Sequence, residues 1–202
     1  MSKLYQKLFA KFYDSIISSF EKKIAKDRHR MLENLTGNVL DVGSGTGVNF
    51  QYFNSEVNIL AVEPSLPMLE KSKPKILNKN IQLINKGIND VSLNEIIKEQ
   101  SLDAVICTLV LCTIPNPEFA IENFKKWLKP NGKLIILEHI HSDNIIRAKI
   151  ETFVNPVWKK IGDGCNLTRN TDKLLTEKGF VSENSSYFSL GIRIHKGIYQ
   201  LV

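Results

Sequence analysis

The residues with the most chemistry in them are Asp41, the run Gly43-Ser44-Gly45-Thr46-Gly47, and Glu63, twenty positions beyond Gly43. Glycines at alternate positions let a chain turn tightly and bring its backbone against a ligand with no Cβ in the way. The run follows Val39-Leu40-Asp41-Val42 and precedes a helical pattern, the strand, loop and helix context that such a loop needs. Free N–H groups at the start of that helix favour an anion. Asp41, two residues before the first glycine, is placed to attract a cation. Glu63 closes the strand-like Ile59-Leu60-Ala61-Val62, where a carboxylate can accept both hydroxyls of a ribose and would repel a nucleotide phosphate.

Spacing separates the two cofactors that use such a loop. The dinucleotide fingerprint G-x-G-x-x-G needs glycine at position 48, where this chain has Val48. The G-x-G-x-G spacing, with Asp41 before it and Glu63 after it, suits an adenosine that carries an amino-acid tail, S-adenosylmethionine. A glycine turn without a ligand is the bland alternative, and the agreement of loop, acids and strand context counts against it. The expected cofactor contacts are Asp41, Gly43, Ser44, Gly45, Gly47, Glu63 and Pro64, completed by Tyr13, Met68, Ile88, Asn89, Thr108 and Leu109.

The elements that must position these residues follow from periodicity. Leu4 to Ile24 places apolar residues at helical spacing with lysines between them. Beyond Gly37 come short apolar runs that read as strands at Asn38–Val42, Val57–Val62, Ile81–Ile84, Leu102–Cys107 and Lys133–Ile140. Helices are expected near Gly47–Phe53, Leu66–Leu77, Ser92–Lys98 and Pro117–Leu128, with a turn at Asn131-Gly132. The tail reads as helices near Asn144–Ile161 and Asn170–Lys178, then β runs Phe180–Phe188 and Ile192–Leu201 joined at Leu190-Gly191. Alternation of strand and helix predicts an α/β fold: a Rossmann-like three-layer sandwich on a mostly parallel seven-stranded sheet with an antiparallel last strand. A single domain over 1–202 is expected, with 1–36 as a helical lid, 37–141 as the S-adenosylmethionine-binding core, and 142–202 as terminal helices and antiparallel strands.

Composition excludes several classes. The formal charge is +6, and residues 1–36 supply +4 of it through eight basic and four acidic side chains. No arginine stripe with interleaved aromatics stands elsewhere, so no nucleic-acid partner is expected. Cys107, Cys112 and Cys165 cannot all pair and show no C-x-x-C spacing, so a reducing cytoplasmic setting and no metal site are expected. The opening MSKLYQKLFAKF lacks the apolar core of a signal peptide. The N-terminal helix has two readings, a lid that lays Phe9, Phe12, Tyr13 and Ile16 over the cofactor, or an interfacial helix whose lysines meet anionic lipid. The sequence is silent on oligomeric state.

On these residues the chain resembles the class I S-adenosylmethionine-dependent methyltransferases over nearly its whole length. Val105-Ile106-Cys107-Thr108-Leu109-Val110-Leu111-Cys112, Glu138-His139 and Asp163-Gly164-Cys165-Asn166-Leu167-Thr168-Arg169 resemble the signatures of the methyltransferase-like seven subfamily. That resemblance implies a small apolar acceptor, foremost a thiol sulfur. Its animal members are membrane-anchored alkyl-thiol S-methyltransferases, while bacterial relatives are grouped with quinone-biosynthesis or phospholipid enzymes, so a quinone-like or phospholipid acceptor is the alternative. A non-catalytic binding module is the alternative from another class. No counterpart of the animal enzymes' hydrophobic anchor is expected here, which leaves peripheral membrane contact through the N-terminal helix. Where relatives place an acid for the adenine amine, this chain has Asn89-Asp90. A thiol acceptor needs deprotonation, and the candidates are His139, fixed at a strand end, and Asp163. Their bland readings are a loop hydrogen bond for His139 and a turn cap, with Arg169 as ion-pair partner, for Asp163.

Overall fold

A computed structural model of the chain describes residues 3–76 and 80–201. The chain divides into two compact units, Met1–Leu93 and Asn94–Val202. The first begins with helix α1 (Lys3–Leu32), which runs past the predicted end at Ile24 because no glycine or proline interrupts it. The extension carries Ile24, Arg28 and Leu32 into the interior, at 0%, 3% and 0% exposure. There follow β1 (Gly37–Val42), β2 (Val57–Val62), α2 (Leu66–Ser72) and β3 (Ile81–Ile84). The three strands are parallel in the order β3-β2-β1. Their register aligns Val42 with Val62 and Val62 with Ile84, so the loops after all three leave the sheet at one level. The Ser44 N–H then donates to the Val62 carbonyl and the Glu63 N–H to that of Ile84.

Two helices are shorter here than their periodicity predicts. The expected helix over Gly47–Phe53 is a 3-10 turn at Phe50–Tyr52. Left-handed backbone at Gly43, Gly45 and Gly47 (φ 60°, 56° and 77°) keeps the loop out of helical geometry up to that point. α2 gives way to a 3-10 turn at Lys73–Lys75, because Pro74 has no N–H to continue the helix. Leu77, the last residue of the expected helix, lies outside the described residues.

A single helical turn, α3 (Leu93–Ile96), stands in place of the expected Ser92–Lys98. The second unit then holds β4 (Leu102–Thr108), α4 (Pro117–Trp127), β5 (Leu128–Ile140), α5 (Ile145–Ile161), α6 (Thr171–Glu177), β6 (Phe180–Ser189) and β7 (Arg193–Leu201). Strand order is β4-β5-β7-β6, with β4 and β5 parallel and β7 antiparallel to both its neighbours. The seven strands are thus mostly parallel with an antiparallel last strand, as the alternating runs predict.

β5 begins five residues before the expected Lys133, and the Asn131-Gly132 turn is absorbed into it as an irregularity opposite Leu102 and Ala104. Asn131 takes a φ of 67°, and a Cβ on Gly132 would lie 2.9 Å from the Lys129 carbonyl oxygen. Trp127 and Phe124 are fully buried under β5 and close the core on the α4 side. β6 is an outer strand, exposed at most positions and bulged between Ser182 and Asn184.

α4 is started by Asn116, whose side chain accepts the Phe119 N–H at 3.1 Å. Asn116→Ala removes that bond, which is expected to cost about 1 kcal/mol. Thermal unfolding should then fall by roughly 2–4 °C, the scale for a chain of this size.

Candidate active site

In the first unit the glycine loop is fixed by its own backbone and by one carboxylate. A Cβ on Gly47 would lie 2.8 Å from the Phe50 ring, and one on Gly45 would lie 3.7 Å from the Met68 methyl. Glu63 is 7% exposed. Its Oε2 accepts the Gly45 N–H at 3.0 Å and its Oε1 the Ser65 N–H at 2.7 Å. The acid expected to grip a ribose therefore also holds the loop, and a carboxylate has about four lone-pair sites to share between the tasks.

Asp41 is fully buried at the end of β1. Its Oδ1 accepts a bond from Asn49 Nδ2 at 2.7 Å, while its Oδ2 has no partner among the described residues. Burial pushes this carboxyl up to about 7, against the Asn49 hydrogen bond and the Arg28 charge, which pull it down. The Ser44 hydroxyl is likewise buried without a partner among the described residues. An unmatched carboxyl oxygen and an unmatched hydroxyl beside a loop without side chains fit the ammonium and carboxylate of S-adenosylmethionine.

On the adenine side, Asp90 is committed to its own turn, where its Oδ1 accepts from the Ser92 N–H and hydroxyl. Asn89 has a buried Oδ1 with no partner among the described residues, which makes it the better match for an adenine amine. Ile88 and Met68 are buried at 6% and 5%, and Pro64 is exposed.

α1 contributes differently from the expectation. Tyr13 and Phe9 are half-buried and pack on each other at 5.5 Å, but Phe12 and Ile16 are exposed at 50% and 69%. The helix reaches the loop through polar groups that periodicity hides among its charges. Thr46 Oγ1 donates to Asp14, and Lys75 Nζ meets the same carboxylate at 3.1 Å. The buried Arg28 donates to Asn49 and, at 2.9 Å, to Glu21. A cavity of about 470 Å³ lies between helix and loop, lined among others by Asp14, Ile17, Glu21, Gly47, Val48 and Lys75. Arg28 sits in a lysine-rich stretch that reads as a solvated face, so only its apolar i−4 and i+4 neighbours, Ile24 and Leu32, signal its burial.

In the second unit the predicted residues gather at the ends of β4 and β5. Thr108 is half-buried, and Leu109 adopts a φ of 55°, a left-handed conformation unusual for leucine. Glu138 explains it. This fully buried side chain accepts the Val110 N–H at 2.7 Å and the Leu111 N–H at 2.8 Å through Oε1, which bends the chain as it leaves β4. Burial raises the Glu138 carboxyl to about 7 against those two bonds.

His139 is 4% exposed, and its Nδ1 lies 3.9 Å from Cys165 Sγ. Burial works against the imidazolium, yet the adjacent Cys165 sulfur prevails and raises the His139 pKa. The Cys165 thiol is held low by its hydrogen bond with Cys112, against burial and with His139 assisting. Cys112, His139 and Cys165 place their ligand atoms within 4.8 Å of one another. The expectation of no His/Cys ligand set therefore changes, because these residues lie 27 and 26 positions apart and no spacing rule finds them. Asp163, with a φ of 51°, is half-buried and its carboxyl is raised by that burial. Arg169 bonds the carbonyls of Leu111 and Ile114 in place of an Asp163 pairing.

Residues 16–180 match the protein family described as Methyltransferase domain. The chain is 35% identical over 146 residues to Thiol S-methyltransferase TMT1B of Rattus norvegicus, across 70% of this chain and 59% of that protein. It is 26% identical over 186 residues to Thiol S-methyltransferase TMT1A of Homo sapiens, across 87% and 76%. The chain thus spans less than two thirds of the first of these relatives. Its fold is similar, at a TM-score of 0.69, to a 1,6-didemethyltoxoflavin-N1-methyltransferase of Burkholderia thailandensis solved with bound 1,6-didemethyltoxoflavin and S-adenosylhomocysteine. That likeness covers 99% of this chain and 88% of the other at 14% identity, and is one of fold.

The raised Asp41 pKa has a testable sign. The folded chain holds this proton more tightly than the unfolded chain, so the contribution to stability is full below the ordinary carboxylate pKa and is lost as pH rises through about 7. An ammonium brought to Oδ2 favours the carboxylate, so S-adenosylmethionine should bind with proton release and more tightly at pH 8 than at pH 6. Calorimetry in buffers of different ionisation enthalpy reads the released proton. Asp41→Asn should abolish it and flatten the pH dependence of the apoprotein's melting temperature.

Proposed function

The chain belongs to the methyltransferase domain family, and on that footing we propose that it transfers the methyl group of S-adenosylmethionine to the sulfur of a small apolar thiol. The donor half rests on one observation, the buried Asp41 oxygen without a partner beside a loop that Glu63 holds open. The thiol half is supported by the names of the relatives at 35% and 26% identity. Bound S-adenosylmethionine supplies an electrophilic methyl on a cationic sulfur. Asp41 holds the ammonium of the amino-acid tail, Glu63 holds the sugar, and the loop glycines keep side chains out of the way.

His139 is the group we assign to activating the acceptor, because its Nε2 is buried with no partner among the described residues. Asp163 is the second candidate. Displacement at carbon demands that nucleophile, methyl and leaving sulfur be in line, and positioning of this kind contributes up to about 7–11 kcal/mol. Since charge is neutralised as the new bond forms, a dry surrounding such as that of His139 favours the reaction.

Incubation with S-adenosylmethionine and simple alkyl thiols should release S-adenosylhomocysteine. Glu63→Gln should weaken donor binding by about tenfold or more, the scale of one lost charged hydrogen bond, and Gly45→Val should weaken it by forcing a β-branched side chain into the loop at a φ of 56°. Release with a quinol or a phospholipid and with no thiol would move the acceptor to those classes, and binding without product would make the chain a non-catalytic module.

We also propose a cytoplasmic location with α1 lying on a membrane surface. Leu4, Leu8, Phe12 and Ile16, each a helical turn apart, are exposed at 49–69%. Lys7, Lys11, Lys22 and Lys23 are exposed along the same helix, a pattern that suits an interface carrying anionic lipid. No helix among the described residues is long and apolar enough to cross a membrane. The protein should float with vesicles containing phosphatidylglycerol, less so in high salt or as Phe12→Asp. Equal behaviour with neutral vesicles would overturn this placement.

A further inference from the structure

Beside His139 the second unit holds two cysteines to which methyl transfer as described gives no role. Cys112 is buried at 2% and His139 at 4%, while Cys165 is half-buried. We propose that Cys112, His139 and Cys165 form a three-ligand site for a thiophilic divalent metal, zinc by its chemistry, whose open fourth position takes the acceptor thiolate. The role of the fourth position rests on the thiol reading above, whereas the three-ligand site does not.

The geometry is near what such an ion requires. Zinc–sulfur and zinc–nitrogen bonds of about 2.3 and 2.0–2.1 Å place tetrahedral ligands about 3.5–3.8 Å apart. The donor atoms here lie within 4.8 Å of one another, and Cys165 Sγ is 3.9 Å from His139 Nδ1. Cys165 Sγ faces Nδ1, so that nitrogen is the ligand atom, and Nε2, buried without a partner among the described residues, carries the ring proton. Charge balance supports the same assignment. Two thiolates, a neutral imidazole and a divalent cation sum to zero, which a buried site tolerates, whereas two thiolates alone would not be tolerated there.

The scaffold holds the three groups without help from the ion. His139 is on β5, in register with Ile194 of β7. The segment with Cys112 is clamped by Glu138 at the Val110 and Leu111 N–H groups and by Arg169 at the Leu111 carbonyl. The Asn166 N–H donates to the Cys112 carbonyl at 3.0 Å, which ties the two cysteine loops together directly. Sites built this way keep their ligands in place before the metal arrives.

Three protein ligands and one open position are the arrangement of a catalytic zinc site. Cys165, the least buried ligand, marks the open side. A thiol that enters there gives its proton to solvent, and its sulfur stays nucleophilic at neutral pH as a metal-bound thiolate. A sulfur lone pair forms the new carbon–sulfur bond as the donor's methyl–sulfonium bond breaks. The products are a neutral thioether, a weak ligand that leaves, and S-adenosylhomocysteine. His139 then activates the acceptor through the metal and not by taking its proton.

Cobalt(II) is the probe. Added to the reduced, metal-free full chain, it should bind at one equivalent with a thiolate-to-cobalt band in the near ultraviolet and the strong visible bands of tetrahedral coordination, and zinc should displace it. Cys112→Ser and Cys165→Ser, verified as folded by circular dichroism, should lose the near-ultraviolet band, and His139→Ala should alter the visible bands. Addition of an alkyl thiol should shift the visible bands further. No stoichiometric binding, binding unchanged in all three variants, or oxidation of Cys112 and Cys165 to a disulfide in place of metal uptake would each overturn the site. Methylation of thiols by chelated, cobalt-free protein would overturn the role given to the fourth position and leave thiol transfer standing. Cobalt bound as expected with turnover on a quinol alone would do the reverse.

Discussion

A carboxyl group cut off from water at the end of β1 organises the first unit. Asp41 must find compensation for its burial, and the protein supplies it in a relay from Asn49 to Arg28 to Glu21. Arg28 can be in that relay only because α1 continues for two turns past its amphipathic start. The length of the helix, the placement of the loop and the state of the acid are therefore one arrangement, and removing the guanidinium would leave several buried polar atoms unmatched. One oxygen of Asp41 remains outside the relay, which is where the chemistry enters.

The second unit repeats the device with different parts. Glu138 is equally buried at the far end of β5, and its one bonded oxygen gathers two backbone N–H groups of the neighbouring segment. That pull sets Leu109 into a left-handed conformation and delivers Cys112 to His139. In both units a strand-end acid does structural work on a loop, and a side chain beside it is left with an unmatched polar atom.

What could be read from the sequence divides by range. The strand positions and the glycine loop were legible because alternating burial and glycine spacing are local: Val39, Leu40 and Val57 to Val62 alternate or run apolar as their sheet positions require. Glu63 was legible as a ribose ligand, yet its bond to the Gly45 N–H was not, since it joins residues 18 apart. The apolar period after the loop overstates the helix for a conformational reason, three left-handed glycines that no hydrophobic period can register. Phe12 and Ile16 have the spacing of a covered face, and exposure of that face is a matter of partners that periodicity does not contain. The cysteine and histidine cluster joins three loops and strands, and only folding makes it a cluster.

β6 forms one edge of the sheet. It is the outer strand beside β7, so one whole row of its backbone groups is available to pair with any passing chain. Its central string, Ser182-Glu183-Asn184-Ser185-Ser186, has little tendency to zip against a copy of itself, and the bulge at Ser182 and Asn184 breaks the flat edge such stacking would need. The protein thus keeps this long edge harmless with polar side chains and a local twist, and a smoother, more apolar edge here would be expected to seed aggregates before it disturbed the chemistry.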